Sequence, residues 1–337
     1  MNRIKEIEES IKRRYSFMDF MRSESKVEDI LMDLWILYQK NPCKIANYLN
    51  NCDIQSKFSS KKWFFPKEIE RFRKINSPTL KYSQLYTDKR TMFKKLDLFK
   101  DSLNKFSIKK ILILGDDDLL SIFLAANFNK LKIDVLEIDT RIINYIEKVS
   151  KKKRYKINTF HYDVREPLPK KFLKSYDYFF FDSSHCLGGY ISFLTRVINC
   201  LSKNGFGGQF VIQLVDDIPI FTYKERKKLF NFIKSHGLKI NKIEKKAVTY
   251  DCPEILIKRF IKELLNLFQQ DVSKLKLISF LKRFGFSEFL PGVSLSPETI
   301  IELKITKNFK YPKNDFYDRS KEKKWGKMYF YQYYEKK

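Results

Sequence analysis

Residues 111–118 read Ile-Leu-Ile-Leu-Gly-Asp-Asp-Asp. Four consecutive apolar residues fit a buried strand. One glycine turns the chain, and three carboxylates follow at the strand's C-terminal end. In open α/β sheets that end is where ligands sit. Asp116, Asp117 and Asp118 would repel a phosphate and hold a cation. The stretch therefore points away from nucleotide phosphates and toward a sulfonium, an amine, or both.

Working outward, the pattern alternates between helix and strand. A helix is expected over 119–127, then a strand over 133–138 with Glu137 and Asp139 at its end. A helix over 140–149 and a short strand over 159–161 come next. A fourth strand over 176–181 ends at Asp182, followed by a helix over 190–201 and a fifth strand over 206–213. Parallel strands alternating with helices predict a doubly wound α/β sheet. Residues 238–250 and 299–307 read as two more strands that close the sheet in antiparallel fashion, with a helical insertion at 255–284 between them.

Upstream, residues 1–75 read as a separate helical unit. Ile4, Ile7, Ile11, Tyr15 and Met18 form a helical stripe over 3–22. An apolar helix covers 27–38 and a short one 44–49, and residues 61–65 before Pro66 suit a wing strand. These features predict a small winged-helix-like domain. Its role is read as dimerisation or as a lid in preference to nucleic-acid binding, and a homodimer is one assembly this leaves open. A polar connector and a helix over 89–103 lead into the sheet domain, which spans 76–310. The tail, 311–337, mixes aromatic and basic residues.

Composition sets the outer limits. The chain has 337 residues, 43% hydrophobic and 32% charged, a folded composition with room for two domains. No apolar run reaches the roughly 18–20 residues of a membrane span. The charged N-terminus lacks a signal-peptide core, so a cytoplasmic location is expected. Five scattered cysteines form no CxxC pair, and three dispersed histidines offer no metal cluster, so neither a disulfide framework nor a metal is expected. The formal charge of +27 suits a polyanionic partner, although lysines spread along the whole chain also fit a plain composition bias.

The chemistry is read from the strand ends taken together. Gly115 closes strand one, Glu137 strand two, and Asp182 strand four, while Asp163 follows strand three. Glu137 is placed to accept from both hydroxyls of a ribose. Asp163 is placed for an adenine amino group, and Asp182 for the reacting carbon. A lone Asp at a strand end is as often a helix cap, and Asp118 is a candidate for that role. The order and separation fit a class I methyltransferase-like (Rossmann-like) sheet, yet the Gly-x-Gly loop of such sheets is missing and Asp116 to Asp118 replace it. Decarboxylated S-adenosylmethionine explains the exchange. It has lost its carboxylate and carries a free ammonium, which suits a carboxylate pocket. A cationic acceptor amine must also lose a proton, which a nearby Asp can take. The six carboxylates Asp116, Asp117, Asp118, Glu137, Asp163 and Asp182 are expected to form an acidic pocket under a basic exterior.

At these residues the chain resembles the branched-chain polyamine synthases, the N4-bis(aminopropyl)spermidine synthases. The resemblance is carried by Gly115-Asp116-Asp117-Asp118-Leu119-Leu120-Ser121-Ile122, by Val135-Leu136-Glu137-Ile138-Asp139 and by Tyr162-Asp163-Val164-Arg165-Glu166-Pro167-Leu168-Pro169, with Tyr82-Ser83-Gln84-Leu85-Tyr86 leading in. It covers roughly 78–215. The resemblance implies an aminopropyltransferase that uses decarboxylated S-adenosylmethionine as co-substrate, with no cofactor or metal and a polyamine such as spermidine as acceptor. It implies that Asp117 acts on the attacking amine. Gly115, Asp116, Asp118, Glu137 and Asp163 are read as holding the donor and Asp182 as meeting the substrate, while His185, where the family has Glu, is either a substitute polar contact to the substrate or, in preference, a surface histidine.

Three departures stand out. Asp182-Ser183-Ser184-His185 replaces the family's Asp-Pro-Pro-Glu, so the rigid prolines are lost. Gln213-Leu214-Val215-Asp216-Asp217 replaces a mixed basic and acidic loop, and its two carboxylates suit either an amine or a solvated turn. The C-terminal tail is basic where the family's is acidic. Two other readings therefore remain open: a methyltransferase acting on nucleic acid, and a non-catalytic nucleic-acid-binding relative.

Overall fold

The computed structural model describes residues 3–12, 27–50, 63–79, 82, 84, 86–183, 187–212, 223–248, 254–281 and 298–313. His185, Asp216, Asp217 and all but the first three residues of the tail lie outside these. So do Lys61 and Lys62 and the second half of the first expected helix.

Seven strands form one sheet: β1 (Lys110–Leu114), β2 (Lys132–Glu137), β3 (Ile157–His161), β4 (Tyr178–Asp182), β5 (Gly207–Ile212), β6 (Leu238–Val248) and β7 (Glu298–Ile305). Their order is β3-β2-β1-β4-β5-β7-β6. The first five run parallel, and β7 is antiparallel to both of its neighbours. Of the two closing strands only β7 reverses, because β6, antiparallel to β7, runs with the parallel set.

The apolar runs that read as strands are buried on both faces. In β1, Ile111 and Ile113 enter one core while Leu112 and Leu114 enter the other. Tyr178 and Phe180 alternate with Phe179 and Phe181 in the same way along β4. A period of two with both faces covered leaves no polar position, which is why these strands look continuous in sequence.

Helices cover both faces. The first core is roofed by α4 (Lys67–Ile75), α5 (Lys89–Lys105), α6 (Leu120–Asn127) and α7 (Thr140–Lys153). The second lies under α8 (Leu187–Cys200) and α9 (Tyr223–Ser235). Sequence reading passed over α9, whose charged face hides its short apolar stripe.

The N-terminal unit differs from expectation in two ways. Three helices, α1 (Arg3–Lys12), α2 (Val27–Lys40) and α3 (Pro42–Asn50), bury Ile7, Ile30, Leu34 and Leu49 against α10 (Glu254–Phe268) and α11 (Lys274–Leu281). The insertion expected at 255–284 thus shares a core with the N-terminus. The boundary expected at 75 also moves upstream, since Ile69 and Phe72 of α4 are fully buried in the sheet's core. Trp63 to Phe65, read as part of a wing, form no strand. The rings of Trp63 and Phe65 pack on that same core, while Phe64 is exposed: Phe65 meets Phe93 and Phe123 at 5.8 and 5.3 Å, and Trp63 Nε1 donates to Asp97 at 2.9 Å.

Candidate active site

The direction of winding reverses between β1 and β4, and the crevice at their carboxyl ends is the switch point of the sheet. The acidic triplet leaves β1 there, and Asp182 ends β4 beside it. Gly115 makes the turn at φ +78°, a conformation that disfavours side chains, and its N–H donates to Leu136 O at 2.8 Å. Leu119 is also left-handed at φ 58° and fully buried, so the turn carries strain that a regular helix start would lack.

The three aspartates have three different environments. Asp116 is buried, and its carboxylate accepts from Ser121 N at 3.2 and 3.3 Å, covering the start of α6. The capping role expected of Asp118 falls to Asp116. Burial, with the charge of Glu137 added, pushes the Asp116 carboxyl up to about 8. Asp117 is half-buried. Burial and the charges of Asp118, Asp182 and Glu137 push it well above the usual carboxylate range, while Lys95 pulls it back.

Asp118 is saturated by protein donors. Thr87 donates from N and Oγ1 at 2.7 Å each, Arg73 from Nη2 at 3.1 Å, and Lys95 from Nζ at 2.8 Å. Burial alone would raise its pKa, but Lys95, Arg73 and these hydrogen bonds hold it low. The donor-binding role expected of Asp118 is corrected to a structural one, because its four donors fill the acceptor sites of a carboxylate.

Lys95 was missed in the sequence. It is fully buried on α5, with Nζ 2.8 Å from Asp118, 3.7 Å from Asp182 and 5.1 Å from the centre of the Phe180 ring. Burial works against its charge, and the two carboxylates more than offset this. The start of α5 fixes its position: Asp88 accepts from Thr91 N at 2.7 Å as the N-cap, and Lys95 follows two turns later. Its neighbours Met92, Leu96 and Phe99 form the buried stripe, and a lysine at that spacing was the available signal.

Glu137 is held rigidly at the end of β2. Its Oε2 accepts from Asp116 N at 2.7 Å, and its Oε1 accepts from Ile138 N and Asp139 N at 2.8 Å each. Three of about four acceptor positions are occupied. One remains open, where a pair of ribose hydroxyls would need two. Asp163 accepts from Arg165 N, Nε and Nη2 at 2.5–3.0 Å. The wholly acidic pocket expected from sequence is therefore corrected: Lys95, Arg73 and Arg165 neutralise part of it, because a carboxylate cluster this buried needs counter-charges. Asp117, Glu137 and Asp182 remain at its centre, and burial together with neighbouring carboxylates raises the pKa of Asp117 and Glu137.

Described residues of the segment before α5 also reach the strand ends. Gln84 Nε2 donates to Asp139 at 3.0 Å, while its Oε1 accepts from Thr79 N and Arg141 Nη2. Tyr86 donates to Asn76 O at 2.8 Å under the Arg73 guanidinium. Burial and the nearby charge of Asp117 raise its hydroxyl pKa. Among the described residues no group of three or more His, Cys, Asp and Glu could hold a metal ion. None of the described helices is long and apolar enough to cross a membrane.

The protonated state of Asp116 has a measurable consequence. The unfolded carboxyl releases its proton near 3.8, whereas the folded one keeps it to about 8. Between these values the native state binds the extra proton, so this group's contribution to stability is lost as pH rises. Asp116→Asn keeps the acceptor and removes the titration. Its urea-unfolding free energy should fall less steeply from pH 5 to 7 than that of the parent, by up to about 1.4 kcal/mol per pH unit. Parallel slopes would mean that Asp116 is ionised in the fold.

A strand order of 3-2-1-4-5-7-6 with the seventh strand reversed, and a site at the β1/β4 switch, define a class I methyltransferase-like protein. Residues 68–272 match the family model of the branched-chain polyamine synthase A C-terminal domain, and the chain belongs to that family. It is 34% identical over 149 residues to the N(4)-bis(aminopropyl)spermidine synthase of Methanocaldococcus jannaschii, covering 43% of this chain and 42% of that protein. It is 31% identical over 153 residues to the enzyme of the same name from Thermococcus kodakarensis, covering 44% and 43%. The match thus spans less than half the length of either relative. The fold is similar to the crystal structure of the Thermus thermophilus branched-chain polyamine synthase in complex with N4-aminopropylspermidine and 5'-methylthioadenosine. The TM-score is 0.55 and the identity 16%, over 92% of this chain and 89% of that one.

Proposed function

We propose that this chain is an aminopropyltransferase that moves the aminopropyl group of decarboxylated S-adenosylmethionine to a nitrogen of a polyamine such as spermidine. The observation that carries the reading is the position of Asp117. It is half-buried at the switch point, with Glu137 on the β2 side and Asp182 on the β4 side, and its pKa is raised. The site offers anionic groups to a ligand at the position where methyltransferase-like sheets carry a glycine loop.

The donor lies across β1 and β2. The open acceptor position of Glu137 takes a ribose hydroxyl, Gly115 lets the backbone come close, and Asp163 faces the adenine while paired with Arg165. Asp117 and Asp182 face the donor's ammonium and the acceptor amine. The acceptor nitrogen attacks the methylene next to the sulfonium, a C–N bond forms and the C–S bond breaks. The bonding pair stays on sulfur, leaving a neutral thioether, 5'-methylthioadenosine, and the nitrogen's proton passes to Asp117. A base with a raised pKa suits an amine better than an ordinary carboxylate does, and in-line placement of the two reactants contributes further. Asp118 and Lys95 act behind this pair by fixing its geometry and charge. His185 stays a proposed acceptor contact.

The test is to incubate the purified chain with the decarboxylated donor and a panel of linear polyamines, then weigh the products. Mass increments of one aminopropyl group, with equimolar 5'-methylthioadenosine, are the expected result. Release of the thioether without a heavier polyamine, or no reaction with any acceptor, would overturn the reading.

A further inference from the structure

The end of the sheet opposite the site carries a different charge pattern. Lys109, Lys132 and Lys156 stand at or just before the starts of β1, β2 and β3, all exposed. The backbone brings them to one end of the sheet: Lys132 N donates to Lys109 O at 3.0 Å, and Ile133 N to Lys156 O at 2.9 Å. The register sets Lys132 opposite Lys110 and beside Lys156, so Lys132 and Lys156 alternate to one face and Lys109 to the other. With strands about 4.8 Å apart, the three positions span roughly 10 Å across the edge of the sheet, a row that straddles its two faces. Lys130, Lys152 and Arg154, from the ends of α6 and α7, flank the row and are exposed too. None of these six cations forms an ion pair among the described residues. The nearby carboxylates Asp177 and Glu68 are already engaged, the first by Lys109 N and Lys110 N, the second by Lys153.

At the carboxyl end the pattern is inverted, and the cations there are bound to partners: Arg73 and Lys95 to Asp118, Arg141 to Asp139, Arg165 to Asp163. Favourable placement of cations at helix C-termini accounts for Lys152 and Arg154. It does not account for the lysines that start strands.

A cleft of about 480 Å³ opens beside the row. Its floor is apolar, formed by Leu103, Ile108, Phe128 and Leu131, and its rim carries Ser107, Lys109, Asn129 and Lys130. Such a cleft suits a planar heterocycle, with the exposed Asn129 amide on its edge and the lysines on adjoining phosphates. An acidic membrane would call for protruding apolar side chains, whereas here the apolar surface is recessed.

We propose that this end of the sheet is a docking surface for single-stranded nucleic acid, with phosphates along the Lys109–Lys132–Lys156 row and one base seated in the cleft. The surface is separate from the carboxylate site and operates whatever reaction that site performs.

The experiment uses the full chain and a fluorescein-labelled, unstructured 20-nucleotide RNA, read by anisotropy from 50 to 200 mM salt. Charge reversal at three positions, Lys130→Glu with Lys132→Glu and Lys156→Glu, is expected to weaken binding at least tenfold. It should also lower the slope of log affinity against log salt by about 2. Reversal of Lys5, Lys12 and Lys40, equally exposed on the N-terminal helices, should change affinity less than twofold. Neutral Lys→Gln versions of both sets, checked for folding by circular dichroism, guard against misfolding. Asn129→Asp should weaken single strands more than a duplex of the same length. Equal losses in the two triple variants would show diffuse attraction and overturn the proposal. So would a duplex bound as tightly as the single strand, or phosphatidylserine vesicles captured through the same lysines while RNA is not.

Discussion

Asp117→Asn is expected to lower aminopropyl transfer by about 10²–10⁴-fold, the usual contribution of a positioned general base. Several neighbouring negative charges and burial already penalise the Asp117 carboxylate, so removing its charge relieves repulsion. The variant should therefore fold at least as well as the parent and bind the donor within a few-fold by calorimetry. The pH profile gives an independent reading. With a raised pKa, Asp117 is protonated and inactive at acid pH. The parent's rate should rise with pH along a limb placed well above the ordinary carboxylate value of about 3.9, and that limb should be missing from the residual activity of the variant. Undiminished turnover would exclude Asp117 as the base.

Lys95→Met is expected to cost about 3–5 kcal/mol of stability, because it leaves Asp118 and Asp182 buried beside an apolar side chain. A simple loss of packing at this position would be smaller, since methionine keeps most of the volume. Adding Asp118→Asn to the same chain should restore a large part of the loss, which urea unfolding of the single and double variants would measure. Activity supplies a second signature. Lys95 lowers the pKa of Asp117, so its removal should push the acid limb of the rate profile to higher pH. A variant as stable as the parent, with an unmoved limb, would show that the lysine is uncharged in the fold.

Much of the sheet was legible because its strands are buried on both faces. The runs 111–114 and 178–181 are apolar at every position, and a glycine or aspartate stops each at the edge where ligands bind. The positions of Glu137, Asp163 and Asp182 followed from that rhythm. What could not be read was which carboxylates have counter-charges. Lys95 lies 23 residues before Asp118 and Arg73 lies 45 before it, and only packing of α4 and α5 on the sheet brings them there. Both sit on buried helix faces, Lys95 with Met92 and Phe99, Arg73 with Ile69 and Phe72, so the signal was a cation on an apolar stripe. The pairing of the N-terminal helices with 254–281 was equally hidden. It joins segments more than 200 residues apart, and amphipathic stripes do not say which stripe they meet.

The central claim is that Asp117 at the end of β1, with Asp182 beside it, has been placed for a donor that has lost its own carboxylate. Titration calorimetry of the unaltered chain with S-adenosylmethionine and with its decarboxylated form tests this directly. The account predicts at least tenfold tighter binding of the decarboxylated form, with the preference much reduced in Asp117→Asn because the carboxylated donor, no longer repelled, gains affinity. Equal affinity for the two, or tighter binding of the carboxylated donor, would contradict it.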